Sequence, residues 1–177
     1  MAEQAQIDEL TQKMTAERAA LLAALESLSE DEASSSPKDG EWTTKQQMSH
    51  LCDMESAYRA WVERALEEDG ANVEGVRGKK VAIPLEDAAA RTVSEHTAEM
   101  RRQREQTMAL IASIPAEDFE HRASNALFGS LTVMQWLRSY YRHDRMHVDQ
   151  VSGREPEYKP KFAAGAEPDQ RRAAPTQ

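Results

Sequence analysis

The sequence predicts an all-α protein built as a four-helix bundle. Gly and Pro number only 7 each among 177 residues, so long stretches lack the residues that break helices. Four segments carry apolar residues at the three- and four-residue spacing of one helical face, and no segment has a convincing strand pattern. A chain of this length is expected to form one domain around one core.

The first helix is predicted over Gln6–Leu28, where apolar residues form a single stripe. The segment Ser29–Trp42 is polar and contains proline and glycine, so we expect a loop there. The second helix is predicted to begin at Thr44, whose hydroxyl can form a capping box with the side chain of Gln47. Gly70 is expected to end this helix, since glycine adopts the left-handed conformation of a helix C-terminus.

A long connection, Ala71–Pro84, leads to a third helix predicted over Leu85–Ile114. The charged residues 101–105 of this helix are interpreted as a solvated face. The fourth helix is predicted to begin at Thr132, which can form a second capping box, and to end at Gly153. Four helices of this length favour a bundle over other all-α architectures.

The bundle is predicted to span residues 1–153, and residues 154–177 are expected to form a loosely ordered or disordered tail. The net charge of −9 argues against nucleic-acid and anionic-membrane partners, because both require clustered positive charge. No apolar run approaches the roughly 18 residues of a membrane span, and no signal peptide is evident. With a single cysteine, Cys52, the sequence predicts no disulfide framework and a cytoplasmic location.

Two histidines of the fourth helix, His143 and His147, lie four residues apart and face the core side of the helix. Burying two imidazoles is costly unless a partner satisfies them, and a divalent metal ion does this well. The alternative is a polar pocket in which the two rings form hydrogen bonds. His50, at the edge of the apolar stripe of the second helix, is either a third ligand or an ordinary interface residue.

The depth of these residues in the bundle constrains its topology. His50 lies six residues after Thr44, roughly 9 Å along the axis, and His147 lies roughly 8 Å from the end of the fourth helix. The depths agree only if the second and fourth helices are antiparallel. A shared metal site therefore requires an up-down-down-up bundle with a long crossover between the second and third helices. The connection Ala71–Pro84 can span up to about 50 Å when extended, which is enough to return along the length of the bundle.

Two segments resemble the motifs of the DinB-like superfamily. The first, Glu41–Glu55, reads Glu-Trp-Thr-Thr-Lys-Gln-Gln-Met-Ser-His-Leu-Cys-Asp-Met-Glu, with a tryptophan before a capped helix and a histidine within it. The second, Leu127–Val151, contains His-x-x-x-His followed by glutamine. The resemblance implies an up-down-down-up bundle, often dimeric, in which one divalent metal ion is bound by His50, His143 and His147.

The resemblance also implies candidate activities. The superfamily includes thiol-dependent S-transferases and isomerases, which use low-molecular-weight thiols such as mycothiol or bacillithiol, and metal-dependent hydrolases. By that resemblance the chain is a metal-dependent enzyme that activates a small thiol or water against a small electrophilic substrate. The alternative is a non-catalytic or stress-associated metal-binding bundle. No acid–base residue is evident, and three imidazoles suit Zn, Ni, Fe or Cu alike.

Several other residues carry weaker expectations. His96 is interpreted as a structural, hydrogen-bonded histidine and His121 as a solvated one. Asp144 either orients a metal-bound imidazole or pairs with an arginine. Tyr58 and Trp61 are expected to leave apolar surface that one small bundle does not cover, which favours a homodimer.

Overall fold

The structure, a computed structural model, describes residues 2–157. These residues form five α-helices, which are α1 (Gln4–Glu26), α2 (Glu30–Ala33), α3 (Thr44–Glu67), α4 (Val93–Ser113) and α5 (Val133–Val151). They also form two 3-10 helices, Leu85–Ala90 and Asp118–Glu120, and three short strands, β1 (Ala71–Asn72), β2 (Arg122–Asn125) and β3 (Gly129–Thr132). Within residues 2–157, no helix is both long enough and apolar enough to cross a membrane.

The four long helices α1, α3, α4 and α5 pack as an up-down-down-up bundle, which confirms the predicted fold class. The antiparallel arrangement of α3 and α5 is visible in their ring contacts. His50, near the start of α3, lies beside His147, near the end of α5. Further along α3, Tyr58 contacts Tyr140, which is earlier in α5.

The crossover between α3 and α4 runs back along the surface of α3. Trp61 Nε1 donates a hydrogen bond to the Val76 carbonyl at 2.9 Å, and Ser56 Oγ donates to the Lys79 carbonyl at 2.7 Å. The crossover therefore runs antiparallel to α3. As a result, α4 can begin at the end of the bundle where α3 begins. A Cβ atom at Gly78 would lie 2.5 Å from backbone atoms of α3, so only glycine permits this close approach.

The predicted third helix begins too early. Leu85–Ala90 form a 3-10 helix, and Arg91 is extended before α4 starts at Val93. The restart is caused by Thr92, whose side chain accepts a hydrogen bond from the backbone N–H of Glu95 in a capping box. A second, local capping signal inside the apolar stripe thus divides one predicted helix into two.

The sequence predicted no strands, but the structure contains a small three-stranded sheet beside the bundle. β2 and β3 pair as an antiparallel hairpin, and β1 adds to β2 in parallel. The segment Ser29–Trp42, predicted to be a loop, also contains the one-turn helix α2. This helix begins at a capping box formed by Ser29 and Glu32. Elements of two to four residues are too short to show periodicity in a sequence. Of the predicted tail, residues 158–177 lie outside the described residues, and the boundary at residue 153 stays a prediction.

A buried ion-pair group joins all four long helices. It consists of one side chain from each helix, which are Arg18 of α1, Glu55 of α3, Arg104 of α4 and Asp144 of α5. Arg18 donates to Glu55 at 2.6 Å and to Asp144 at 2.9 Å, and Arg104 donates to the same two carboxylates at 2.8 and 2.9 Å. Two positive and two negative charges thus neutralise one another inside the protein.

The position of Arg104 corrects the interpretation of residues 101–105 as a solvated face, because Arg104 and Gln103 are buried. Arg104 Nη1 also donates to the Met14 carbonyl, and Arg18 Nη1 donates to the Met100 carbonyl. Burial by itself would raise the pKa of the Glu55 carboxyl. The guanidinium groups of Arg104 and Arg18 outweigh that effect and hold this pKa below its usual value.

Replacing Glu55 with Gln is expected to lower the free energy of unfolding by about 3–5 kcal/mol, because two guanidinium groups then share one carboxylate in the interior. Urea denaturation of metal-free protein at neutral pH measures the change. The control is Glu9→Gln, which breaks an exposed pair with Lys13 and should cost little. Similar losses in the two variants would show that the buried group does not hold the helices together.

Candidate metal centre

Three histidines meet where the start of α3 lies beside the end of α5. One ring nitrogen from each of His50, His143 and His147 lies within 4.8 Å of the others. His143 Nε2 and His147 Nε2 are 3.2 Å apart. Two nitrogens bound tetrahedrally to one zinc ion are about 3.3 Å apart, so this pair already has the spacing of metal ligands. The structure therefore brings together the three residues that the sequence singled out, and they could hold a metal ion.

A glutamine orients the most buried of these rings. His147 Nδ1 lies 3.0 Å from Gln47 Oε1, and Gln47 Nε2 donates to the Trp42 carbonyl at 3.3 Å. Because the Trp42 contact places the amide nitrogen, the amide oxygen faces His147 and accepts its Nδ1 proton. The lone pair of His147 Nε2 then faces His143. This tautomer is the one that a metal ligand requires.

Gln47 was not predicted as a site residue, because the predicted capping box was displaced by one position. The N-terminal cap of α3 is Thr43, which forms the capping box with Gln46. Gln47 is therefore not needed at the helix end, and its side chain turns into the bundle. A signal was available in the sequence, since Gln47 precedes His50 by one helical turn and so shares its face.

Burial sets the charge state of the cluster. His147 is only 3% exposed, and burial, followed by the positive charges of His50 and Arg18, lowers its pKa to about 3. Burial also lowers the pKa of His50, although Asp53 partly opposes this effect. Both imidazoles are therefore neutral at pH 7, which is the form that binds metal ions.

One side of the cluster opens into a cavity of about 370 Å³. The cavity is lined by the α2–α3 loop, the first turns of α3 and the last turns of α5, through Gly40, Glu41, Trp42, Gln47, His50, Met146, His147 and Gln150. The Trp42 side chain stands at the entrance, 43% exposed, with its ring centre 4.9 Å from that of His50. A small molecule can therefore approach the histidines from this side.

Residues 13–151 match the family model of the DinB superfamily. The chain belongs to this superfamily. Its two motifs, identified above by resemblance, are the segments that supply the three histidines. The chain is similar in sequence to YuaE of Bacillus subtilis (strain 168), an uncharacterized protein. It is 24% identical over 140 residues, which cover 72% of this chain and 85% of YuaE.

Two solved structures are similar in fold to this DinB-superfamily chain. YfiT from Bacillus subtilis, described as "a probable metal-dependent hydrolase with an unusual four-helix bundle topology", superposes with a TM-score of 0.68 at 19% identity. The match covers 86% of this chain and 87% of YfiT. A mycothiol-dependent maleylpyruvate isomerase has a TM-score of 0.56 at 14% identity, over 82% of this chain and 60% of the isomerase.

The other two histidines of this DinB-superfamily chain lie away from the cluster. His96 is buried, and its Nε2 lies 2.9 Å from the Ala88 carbonyl, so its structural interpretation is confirmed. His121 is not fully solvated as predicted. It is half-buried, and its Nδ1 donates to the Ala65 carbonyl at 3.2 Å, because the small sheet covers the end of α3.

The remaining expectations are settled by burial. Asp144 pairs with the two arginines of the buried ion-pair group, so it does not orient an imidazole. Cys52 is a buried thiol whose pKa burial raises. Tyr58 and Trp61 are buried in the core and leave no uncovered apolar surface. The homodimer loses this support and stays a prediction.

Acidification is expected to destabilise the metal-free protein. The lowered pKa of His147 means that below about pH 6.5 the unfolded chain binds a proton that the folded chain excludes, so stability falls as pH decreases from 6.5 towards 3. Each such histidine contributes a slope of up to about 1.4 kcal/mol per pH unit.

Urea denaturation in the presence of a chelator between pH 7 and pH 5 measures this slope. His147→Gln should make the slope shallower than in the parent, because it removes the titrating imidazole. An identical pH dependence in the parent and His147→Gln would show that the ring is not kept neutral by burial.

Proposed function

We propose that the chain is a metal-dependent enzyme whose divalent ion is held by His50, His143 and His147. The observation that carries the proposal is the convergence of three imidazoles, two of which, His50 and His147, line an open cavity. Three protein ligands with one open side are typical of catalytic rather than structural metal sites. When bound, such an ion would supply Lewis acidity, which lowers the pKa of a coordinated water or thiol.

The similar proteins support both the bound metal ion and the use of a small nucleophile. YfiT is described as metal-dependent, and the isomerase is by its name mycothiol-dependent. We therefore infer that a small thiol or water is the nucleophile and an electrophilic small molecule the substrate, as in a thiol S-transferase or a hydrolase. Zn, Ni and Fe all suit the three-imidazole donor set. A cytoplasmic location and a homodimer remain part of the proposal.

The residues around the histidines have separate tasks. Gln47 holds the His147 ring by accepting its Nδ1 proton, and Trp42 fixes the Gln47 amide. Glu41 supplies the one carboxylate among the residues that line the cavity, so we assign it as acceptor of the proton that the nucleophile loses. The aromatic ring of Trp42 gives an apolar substrate a surface to pack on.

The charge of the cavity limits the substrate. Its lining includes Glu41 and no lysine or arginine. A dicarboxylate such as maleylpyruvate would find no cationic partner among these residues. We therefore propose an uncharged electrophile as the substrate class, and a substrate different from that of the isomerase.

Removing any one of the three histidines is expected to weaken metal binding strongly. Titration calorimetry of chelator-stripped protein with Zn²⁺ should show a loss of more than about 100-fold for His50→Ala, His143→Ala and His147→Ala. Gln47→Ala should cost about 10–100-fold, which is the usual effect of removing the group that orients a ligand. The controls His96→Ala and His121→Ala should bind as the parent does. Unchanged affinity in His50→Ala would remove α3 from the metal site.

The enzymatic proposal is tested with uncharged electrophiles, namely an activated ester for the addition of water and chlorodinitrobenzene with mycothiol, bacillithiol or glutathione for thiol transfer. Metal-loaded protein should turn over one of them, and chelated protein or His50→Ala should not. Glu41→Gln should lower kcat while leaving Zn²⁺ affinity unchanged. Stoichiometric metal without turnover of any probe would instead favour a non-catalytic metal-binding bundle.

A further inference from the structure

We propose a second binding site, separate from the histidine cluster, that takes a small phosphate-like oxyanion. It is a cavity of about 250 Å³ between α3, the crossover and α4. Its lining includes three cationic side chains, Arg59, Arg77 and Lys79, against one carboxylate, Glu63. In a chain with a net charge of −9, this cavity reverses the sign of its surroundings.

The innermost cation of the cavity is buried without a carboxylate of its own. Arg59 is 7% exposed. Its Nη1 donates at 3.0 Å to both the Gln103 carbonyl and Thr107 Oγ1, and its Nη2 donates to the side-chain oxygens of Gln103 and Gln106. All four acceptors are neutral. Its Nε has no hydrogen-bond partner within residues 2–157.

The neighbouring buried charges do not neutralise Arg59. Thr107 Oγ1 donates a hydrogen bond to the Glu55 carboxylate at 2.7 Å, but that carboxylate already pairs with Arg18 and Arg104. Gln103 Nε2 donates to the buried Glu99 carboxylate at 2.8 Å, but Glu99 already pairs with Arg102. Neither carboxylate contacts Arg59 directly. A buried charge is costly unless it is paired, so an anion in the cavity would give Arg59 the ionic partner that its neutral acceptors do not supply.

The two outer cations are held in place by the crossover. Arg77 and Lys79 flank Gly78, the residue that lies directly against the backbone of α3, and the Lys79 carbonyl accepts a hydrogen bond from Ser56. Both side chains are exposed, and neither has a carboxylate partner within residues 2–157. Their charges are therefore available to a ligand.

The lining selects the class of ligand. Arginine and lysine together are the usual partners of phosphate oxygens. No aromatic side chain lines the cavity, so nothing there would stack on a nucleobase. We therefore infer inorganic phosphate or a small phosphate monoester. Arg59 lies nine residues after His50, roughly 14 Å further along α3, so the site does not share the metal centre and does not depend on the proposed function.

The test is calorimetric titration and thermal melting of the full chain, with a chelator present, at fixed pH and ionic strength. Inorganic phosphate and glycerol phosphate are the probes, and chloride is the reference anion. Saturable binding with a rise in Tm is expected for at least one probe, because the ligand would tie the crossover to α3 and α4. Whichever probe binds more tightly identifies the source of the phosphate group.

Two adjacent lysines provide a matched pair of variants. Lys79→Gln removes a cation that lines the cavity and should weaken phosphate binding about tenfold, whereas Lys80→Gln removes an exposed neighbour outside the lining and should not. Arg77→Gln should act like Lys79→Gln, and Glu63→Gln should tighten binding. All four positions are exposed, so these variants should fold even if Arg59→Gln does not. No saturable binding of either probe, or equal losses in the two lysine variants, would overturn the site and leave Arg59 a structural residue only.

Discussion

The arrangement of the bundle depends on its buried ion-pair group, formed by Arg18, Glu55, Arg104 and Asp144. Each long helix supplies one member, so no helix can slide along its axis without separating an arginine from a carboxylate. In a poorly solvated interior such a separation is expensive, which fixes the relative heights of the helices. Asp144 directly follows His143 in α5, so the same ion pairs that set the register also set the height of the histidine cluster.

The up-down-down-up topology accounts for both candidate sites. Because α3 and α5 are antiparallel, His50 near the start of one helix reaches the His143–His147 pair near the end of the other. The same topology obliges the chain to return along α3 before α4 begins. That return places the crossover on the α3 backbone at Gly78 and carries the cations on either side of this glycine to the second cavity.

The two cavities differ in charge in a way that suits different ligands. The cavity at the histidine cluster has one carboxylate, Glu41, and no lysine or arginine in its lining, although the Lys38 ammonium lies 3.9 Å from that carboxylate. The cavity at the crossover has three cations and one carboxylate. The side chains of the crossover cavity therefore favour an anion, whereas the side chains that line the cavity at the histidine cluster offer an anion no cationic partner.

The sequence by itself determined the four long helices and the inward face of the His143–His147 pair, because both follow from spacing within one helix. The choice of His50 as their partner, and with it the topology, needed matched depths and a family resemblance. Only the tertiary structure decided the rest. Arg104 looked solvated within a charged run, since its carboxylate partners are 40 and 49 residues away in the chain. Gln47 seemed to be a capping residue because Thr43 and Thr44 are equally good helix caps in the sequence alone. In the structure Thr43 caps α3, and the Gln47 side chain packs against His147 of α5.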